Sequence, residues 1–284
     1  MYDCDSLTNE EYHATDAISK SCLDVVRRSP LHFKAHYIDR IIERKETAAF
    51  TEGSLFHSMV LEPHKTALEF VISPEINKRT KAGKEQLELF KETNKGKTVV
   101  SQETWDKCAA MCDSVFSNPE SAYWFSNGRP EVSVFWHDSE TGLDLKCRHD
   151  WLRDDNIIVD LKSTEDASEA GFARSVAKYR YFVQHAFYSE SVKANRFIFV
   201  AVEKTPPYAV SCYELDDLAI AAGKLLALQD MASIKSARES GNWRSYVEGT
   251  KRLSLPPYAF SSMGLDPKIL GNQRKPQIFK GRNP

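Results

Sequence analysis

The hydrophobic pattern changes its period near residue 130. Before that point apolar residues recur every three or four positions, as on one face of a helix, and after it they alternate, as on a half-buried strand. Ser19 is placed to cap a helix that turns Leu23 and Val26 inward, and Ser29-Pro30 opens a second with Phe33, Tyr37 and Ile41 in phase. Gly53 is read as the opening of a third, which carries Leu55, Phe56, His57, Met59 and Val60 and closes at Pro63. Residues 64–100 join the short apolar run Phe70-Val71-Ile72 to a basic stretch, Lys78 to Lys84, and an amphipathic segment through Leu87, Leu89 and Phe90. This region reads as an insertion. Trp105, Cys108, Ala109, Cys112 and Val115 make the stripe of another helix.

From Pro130, Val132, Val134 and Trp136 alternate with Glu131, Ser133 and Phe135. Thr141-Gly142 turns the chain into Leu143, Leu145 and Cys147, which alternate with Asp144, Lys146, Arg148 and Asp150. Arg153-Asp154-Asp155-Asn156 has the residues of a tight turn and leads into a third strand, Ile157 to Lys162. An aromatic-rich helix follows at Tyr181–Val192, then strands at Arg196–Val202 and Tyr208–Tyr213 and a long helix from Asp216 to Glu239. Everything beyond Pro256-Pro257 reads as irregular. The expectation is an α/β fold, a mixed central sheet flanked by helices. We expect one domain over 1–284, with a mainly helical part at 1–128, the sheet core at 129–215, a flanking helix at 216–260 and a tail at 261–284.

Composition narrows the class without naming a function. A chain of 284 residues, 42% hydrophobic, can bury one substantial core. No apolar stretch approaches the ~20 residues that cross a bilayer, and the start lacks the pattern of a signal peptide, so the expectation is a cytoplasmic protein with no membrane partner. Six cysteines without paired spacing argue against a zinc site. A formal charge of -2 excludes a strong overall basic field, so any contact with nucleic acid has to be local. The basic candidates are the 78–84 stretch and a tail with Arg274, Lys275, Lys280 and Arg282.

The third strand carries the chemistry. With a period of two, Ile158, Asp160 and Lys162 share one face, while Ile157, Val159 and Leu161 share the other. The turn at 153–156 brings Asp150 on the incoming strand towards Asp160 on the outgoing one. Two carboxylates and a lysine so placed can hold a divalent cation against a phosphate, the lysine orienting or deprotonating a water or offsetting negative charge.

Asp150 followed by Asp160-Leu161-Lys162 resembles the PD-(D/E)XK nuclease core in the version found in RecB-type and RecE-type exonucleases. Gln184-His185-Ala186-Phe187-Tyr188 is similar to that family's Q-x-x-x-Y element, and Gly53-Ser54-Leu55-Phe56-His57 to its glycine-to-histidine helix. Ile18 to Leu23, Ser29 to Phe33, and Arg79 to Gly83 resemble further segments of the RecE-type domain, so the likeness covers roughly residues 10 to 260. It implies a restriction-endonuclease-like core in which His57, Asp150, Asp160 and the Leu161 carbonyl bind metal and Lys162 acts on the water and the scissile phosphate. Gln184 and Tyr188 would position the lysine or the DNA backbone, and Glu131 would support the site without ligating. It also implies Mg2+, with Mn2+ able to substitute, and 5′ to 3′ degradation of one strand from double-stranded DNA ends. A ring-shaped homo-oligomer and a single-strand annealing protein as partner complete that picture. The four-cysteine iron-sulfur branch carries a C-terminal cysteine cluster, and here no cysteine follows Cys212.

Overall fold

A computed structural model of the chain describes residues 2–4, 7–42, 47–76, 79–246 and 249–265. The chain begins with β1 (Tyr2–Cys4), α1 (Asn9–Ala14), α2 (Lys20–Arg28) and α3 (Pro30–Phe33), which runs into a π-helical turn at Lys34–Ile38. Next come α4 (Ala48–Leu61), α5 (Pro63–Glu69), β2 (Phe70–Ile72), α6 (Lys81–Thr93), β3 (Thr98–Val100), α7 (Gln102–Ser117) and α8 (Pro119–Trp124). The core strands and their crossover helices are β4 (Gly128–Asp138), β5 (Leu143–Arg153), β6 (Ile157–Thr164), α9 (Glu169–Lys178), α10 (Tyr181–Val192), β7 (Arg196–Glu203) and β8 (Val210–Tyr213). After these follow α11 (Asp217–Ser240) and α12 (Pro257–Ser262). The chain divides into two compact units, Met1–Ser245 and Tyr246–Pro284.

In the first unit a six-stranded mixed sheet has the order β1-β4-β5-β6-β7-β8. β4, β5 and β6 form an antiparallel meander, and β6 pairs parallel with β7 across the α9–α10 connection. Both faces are covered. One apolar cluster joins Leu23, Phe172, Val183, Phe187 and Ile234 to Val134, Leu145, Ile158 and Phe199, seating α2, α9, α10 and α11 on that face. The other joins Leu55, Phe56, Cys108, Met111 and Trp124 to Val159, Leu161, Ile198 and Val200, seating α4, α7 and α8. The insertion adds α5, α6 and a two-stranded parallel sheet of β2 and β3.

Several expectations are corrected in detail. α4 begins at Ala48, where the Thr47 hydroxyl accepts the Phe50 N–H at 3.2 Å, so Gly53 lies inside the helix and not at its start. The helix opened by Pro30 does not carry Ile41: the backbone widens at residues 34–38, Asp39 N–H bonds Lys34 O at 2.8 Å, and Ile41 emerges 74% exposed. The wider turn shifts the phase of everything after it. Of the basic stretch, Lys78 lies outside the described residues, and Thr80 caps α6 from Lys81 onward. The second unit contains the helix α12 where irregular chain was expected, and the basic residues at 274–282 lie outside the described residues.

α10 and α11 approach closely at Gly223, where an added Cβ would stand 2.1 Å from the Phe182 carbonyl oxygen. That atom is backbone and cannot yield without moving a helix. Gly223→Ala is therefore expected to cost roughly 1–3 kcal/mol and lower the midpoint by several degrees, read by thermal unfolding. An unchanged midpoint would contradict this packing.

Candidate metal centre

The register of three strands sets three carboxylates in one row. β4 and β5 pair Pro130 with Trp151 and Val132 with His149, which leaves Glu131 opposite Asp150. β5 and β6 pair only Leu152 with Ile158 and Trp151 with Val159. One step further along stand Asp150 and Asp160, where the strands part. β5 also changes face here: Cys147 packs in one core and Trp151 against the other, although regular alternation puts both on one side. Glu131, with φ 51, departs from the strand conformation at the same row. Near a cleft, such local departures re-aim side chains.

The pieces converge at this opening. Donor atoms of His57, Glu131 and Asp150 all lie within 4.8 Å of one another. His57, from the middle of α4, places Nδ1 3.6 Å from Asp150 Oδ2. That same oxygen accepts the Leu161 N–H at 2.8 Å, so the strand edge of β6 fixes the carboxylate on β5. Asp160, 1% exposed, turns towards its own strand and α10: Gln184 Nε2 donates to its Oδ1 at 2.6 Å, and Lys162 Nζ pairs with its Oδ2. Asp160 Oδ2 is buried, with the Lys162 ammonium as its partner. The Lys162 ammonium lies 5.0 Å from the centre of the Tyr181 ring.

Crowding and burial set the protonation. Burial, and then Asp150, pushes Glu131 up to about 8. Burial raises Asp160 to about 6 despite Lys162, and burial raises Asp150 as well. Burial, with Lys162 adding to it, lowers His57 to about 4, so its imidazole is neutral at pH 7 and available as a ligand. For Lys162 burial acts downward, but Asp160, Asp150 and Tyr181 outweigh it and the net shift is up, leaving an ammonium. Three donor atoms within 4.8 Å of one another, two of them from acids held above their usual range and one from a neutral imidazole, are what a hard divalent cation would satisfy together. The residues present fit such an ion.

The sequence-derived residues therefore separate into groups. His57 and Asp150 meet at the opening, and Glu131, expected only to support, stands within that group of donors. Asp160 lies beside it, turned to Gln184 and Lys162, and Leu161, expected to offer its carbonyl, reaches the group through its N–H on Asp150. Gln184 touches Asp160 and not the lysine. Tyr188, one turn along α10, sits edge-on to His149 with ring centres 5.5 Å apart. The tyrosine over Lys162 is Tyr181, which the sequence reading passed over. Its only sequence signal is its position three residues before Gln184, one turn along the same helix.

Comparison with known families agrees with this geometry. Residues 19–253 match a family model described as a PDDEXK-like domain of unknown function (DUF3799). The chain belongs to this PDDEXK-like family. Its sheet, with Asp150, Asp160 and Lys162 at the parting of two strands, is thus a PD-(D/E)XK core. A solved structure of a putative exonuclease from Eubacterium rectale is similar in fold, at TM-score 0.61 and 16% identity over 90% of this chain and 98% of that one. An alkaline exonuclease from Laribacter hongkongensis aligns at TM-score 0.32 and 12% identity over 82% of this chain and 95% of that one, too low to establish a shared fold. No curated protein matches the chain. Among the described residues of this PDDEXK-like protein, no helix is long and apolar enough to cross a membrane.

Proposed function

We propose that the protein is a metal-dependent DNA exonuclease, using Mg2+ with Mn2+ able to substitute, that degrades one strand of linear duplex DNA from its ends in the 5′ to 3′ direction. The observation that carries the reading is the row of Glu131, Asp150 and Asp160 across three strands with His57 on one side and Lys162 on the other. A divalent cation held by these carboxylates and the imidazole would neutralise charge on a phosphodiester and lower the pKa of a water. Leu161 N–H orients Asp150, and Gln184 orients Asp160, so both carboxylates are aimed before any ligand arrives. Lys162, kept as an ammonium, offers positive charge to the phosphate rather than acting as a base. The exonuclease mode draws support from the fold shared with the Eubacterium rectale protein. Polarity rests on the RecE-type resemblance, as do assembly into a ring and action with a single-strand annealing protein in recombination. A ring around DNA would suit a chain with formal charge -2, because enclosure replaces a strong electrostatic grip.

The test is a time course on linear duplex labelled at one 5′ or one 3′ end, beside covalently closed duplex, with and without Mg2+. Release of the 5′ label from linear DNA only, and only with the metal, is expected. Cutting of closed duplex would replace the exonuclease with an endonuclease of the same fold. DNA binding with no cleavage under any divalent cation would leave an inert end-binding module.

A further inference from the structure

Lys162 has a second holder besides Asp160. The Tyr181 ring lies under its ammonium at 5.0 Å and is itself fixed by stacking: ring centres stand 6.0 Å from Phe199 and 5.6 Å from Tyr179, with interplanar angles of 27° and 28°. Tyr181 is the first residue of α10, and the residue before it, Arg180, holds a left-handed backbone at φ 56, ψ 41. For a non-glycine residue that conformation is unfavourable and persists only where its surroundings impose it. Here they do. Arg180 Nη1 donates to Leu23 O at 3.3 Å and Asp24 Oδ1 at 3.0 Å, and Nη2 pairs with Asp230, which is 3% exposed. Lys20 Nζ adds a bond to the Tyr179 carbonyl at 2.9 Å. α2 and α11 thereby pin the turn that aims Tyr181.

An aromatic face suits this place chemically. The site already crowds three carboxylates, and a fourth anion would deepen their mutual repulsion, whereas a ring attracts an ammonium through its quadrupole without adding a full charge. In the proposed nuclease reading Asp160 is shared with a cation, and the ring is the holder that is not shared. From this geometry we infer that Tyr181 is a positioning residue for Lys162, keeping the ammonium aimed at the scissile phosphate, with Arg180 anchoring the ring. The inference rests on the proposed role of Lys162, and the experiment separates the two.

Tyr181→Phe keeps the face and loses the hydroxyl, Tyr181→Leu loses the face, and Tyr181→Met fills the space without a ring should the leucine variant not fold. Two readouts are taken: kcat and KM on linear duplex, and acylation of Lys162 by acetic anhydride in metal-free protein, measured by peptide mass spectrometry against exposed Lys91. The phenylalanine variant should match the parent in both. The leucine and methionine variants should lose roughly tenfold in kcat with KM nearly unchanged, and Lys162 should label several-fold faster. Parent-like kcat and labelling in the ringless variants, or equal loss in the phenylalanine variant, would overturn the inference. A parent protein that cleaves no DNA defeats the nuclease reading instead, and the labelling still decides whether the ring holds the lysine.

Discussion

Asp160→Asn is expected to lower nucleotide release from linear duplex by roughly 10³-fold while leaving the protein folded. The asparagine keeps the shape and can still accept from Gln184 through Oδ1, so the α10 contact survives. What disappears is the charge that pairs with Lys162. Two effects on stability oppose each other: Lys162 loses its nearest counter-charge, and the crowding of Asp150 by a second carboxylate is relieved. The midpoint should therefore move by only a few degrees. Initial rates with purified variants, beside thermal unfolding by circular dichroism, check both halves. Activity within tenfold of the parent would remove Asp160 from the reacting site.

Glu131→Gln should produce the largest change in cation binding and in the pH dependence of stability. Glu131 stands in the donor group with His57 and Asp150, so its loss should weaken divalent-ion affinity by roughly 10–100-fold. The pH effect has a definite sign. In the metal-free fold Glu131 releases its proton at about 8 instead of 4.5, mainly through burial and then through Asp150. Between those values the unfolded chain has already released a proton that the fold retains, so stability falls as pH rises through the window and levels off above it. Asp160 adds the same trend up to about 6. Between pH 6 and 8 the parent's midpoint in EDTA should thus fall by roughly 5 °C, the glutamine variant should stay nearly flat, and Mn2+ should remove most of the parent's slope. Parallel slopes for the two proteins would show that Glu131 is not the titrating group.

Much of β6 was legible because a strand's alternation is local. Ile158, Asp160 and Lys162 do share a face, and Asn156, at φ 61, closes the tight turn read from Arg153-Asp154-Asp155-Asn156. Gln184 was singled out only through the likeness of Gln184-His185-Ala186-Phe187-Tyr188 to the Q-x-x-x-Y element, and its contact with Asp160 was not read. Glu131 was expected to support the site and not to ligate, because nothing near a strand-opening glutamate signals a donor. Its position comes from the β4–β5 register, 19 residues away at Asp150, and from a backbone departure at its own Cα. The change of face between Cys147 and Trp151 is equally hidden, since it reflects two cores pulling on one strand. Tyr181 depends on the left-handed Arg180, which α2 and α11 impose from far along the chain. Gly53 misled as a helix start because glycine is a weak helix former, whereas the real signal was the hydroxyl of Thr47.

The central claim is that one cation is gathered by side chains from α4, β4, β5 and β6. Titration calorimetry of Mn2+ into the parent and into Asp150→Asn tests it most directly, because the asparagine can still accept the Leu161 N–H and so removes charge without removing the strand contact. Saturable binding in the parent, weakened at least tenfold in the variant, is the predicted result. Equal affinity in the two proteins, or no saturable binding in the parent, would contradict it.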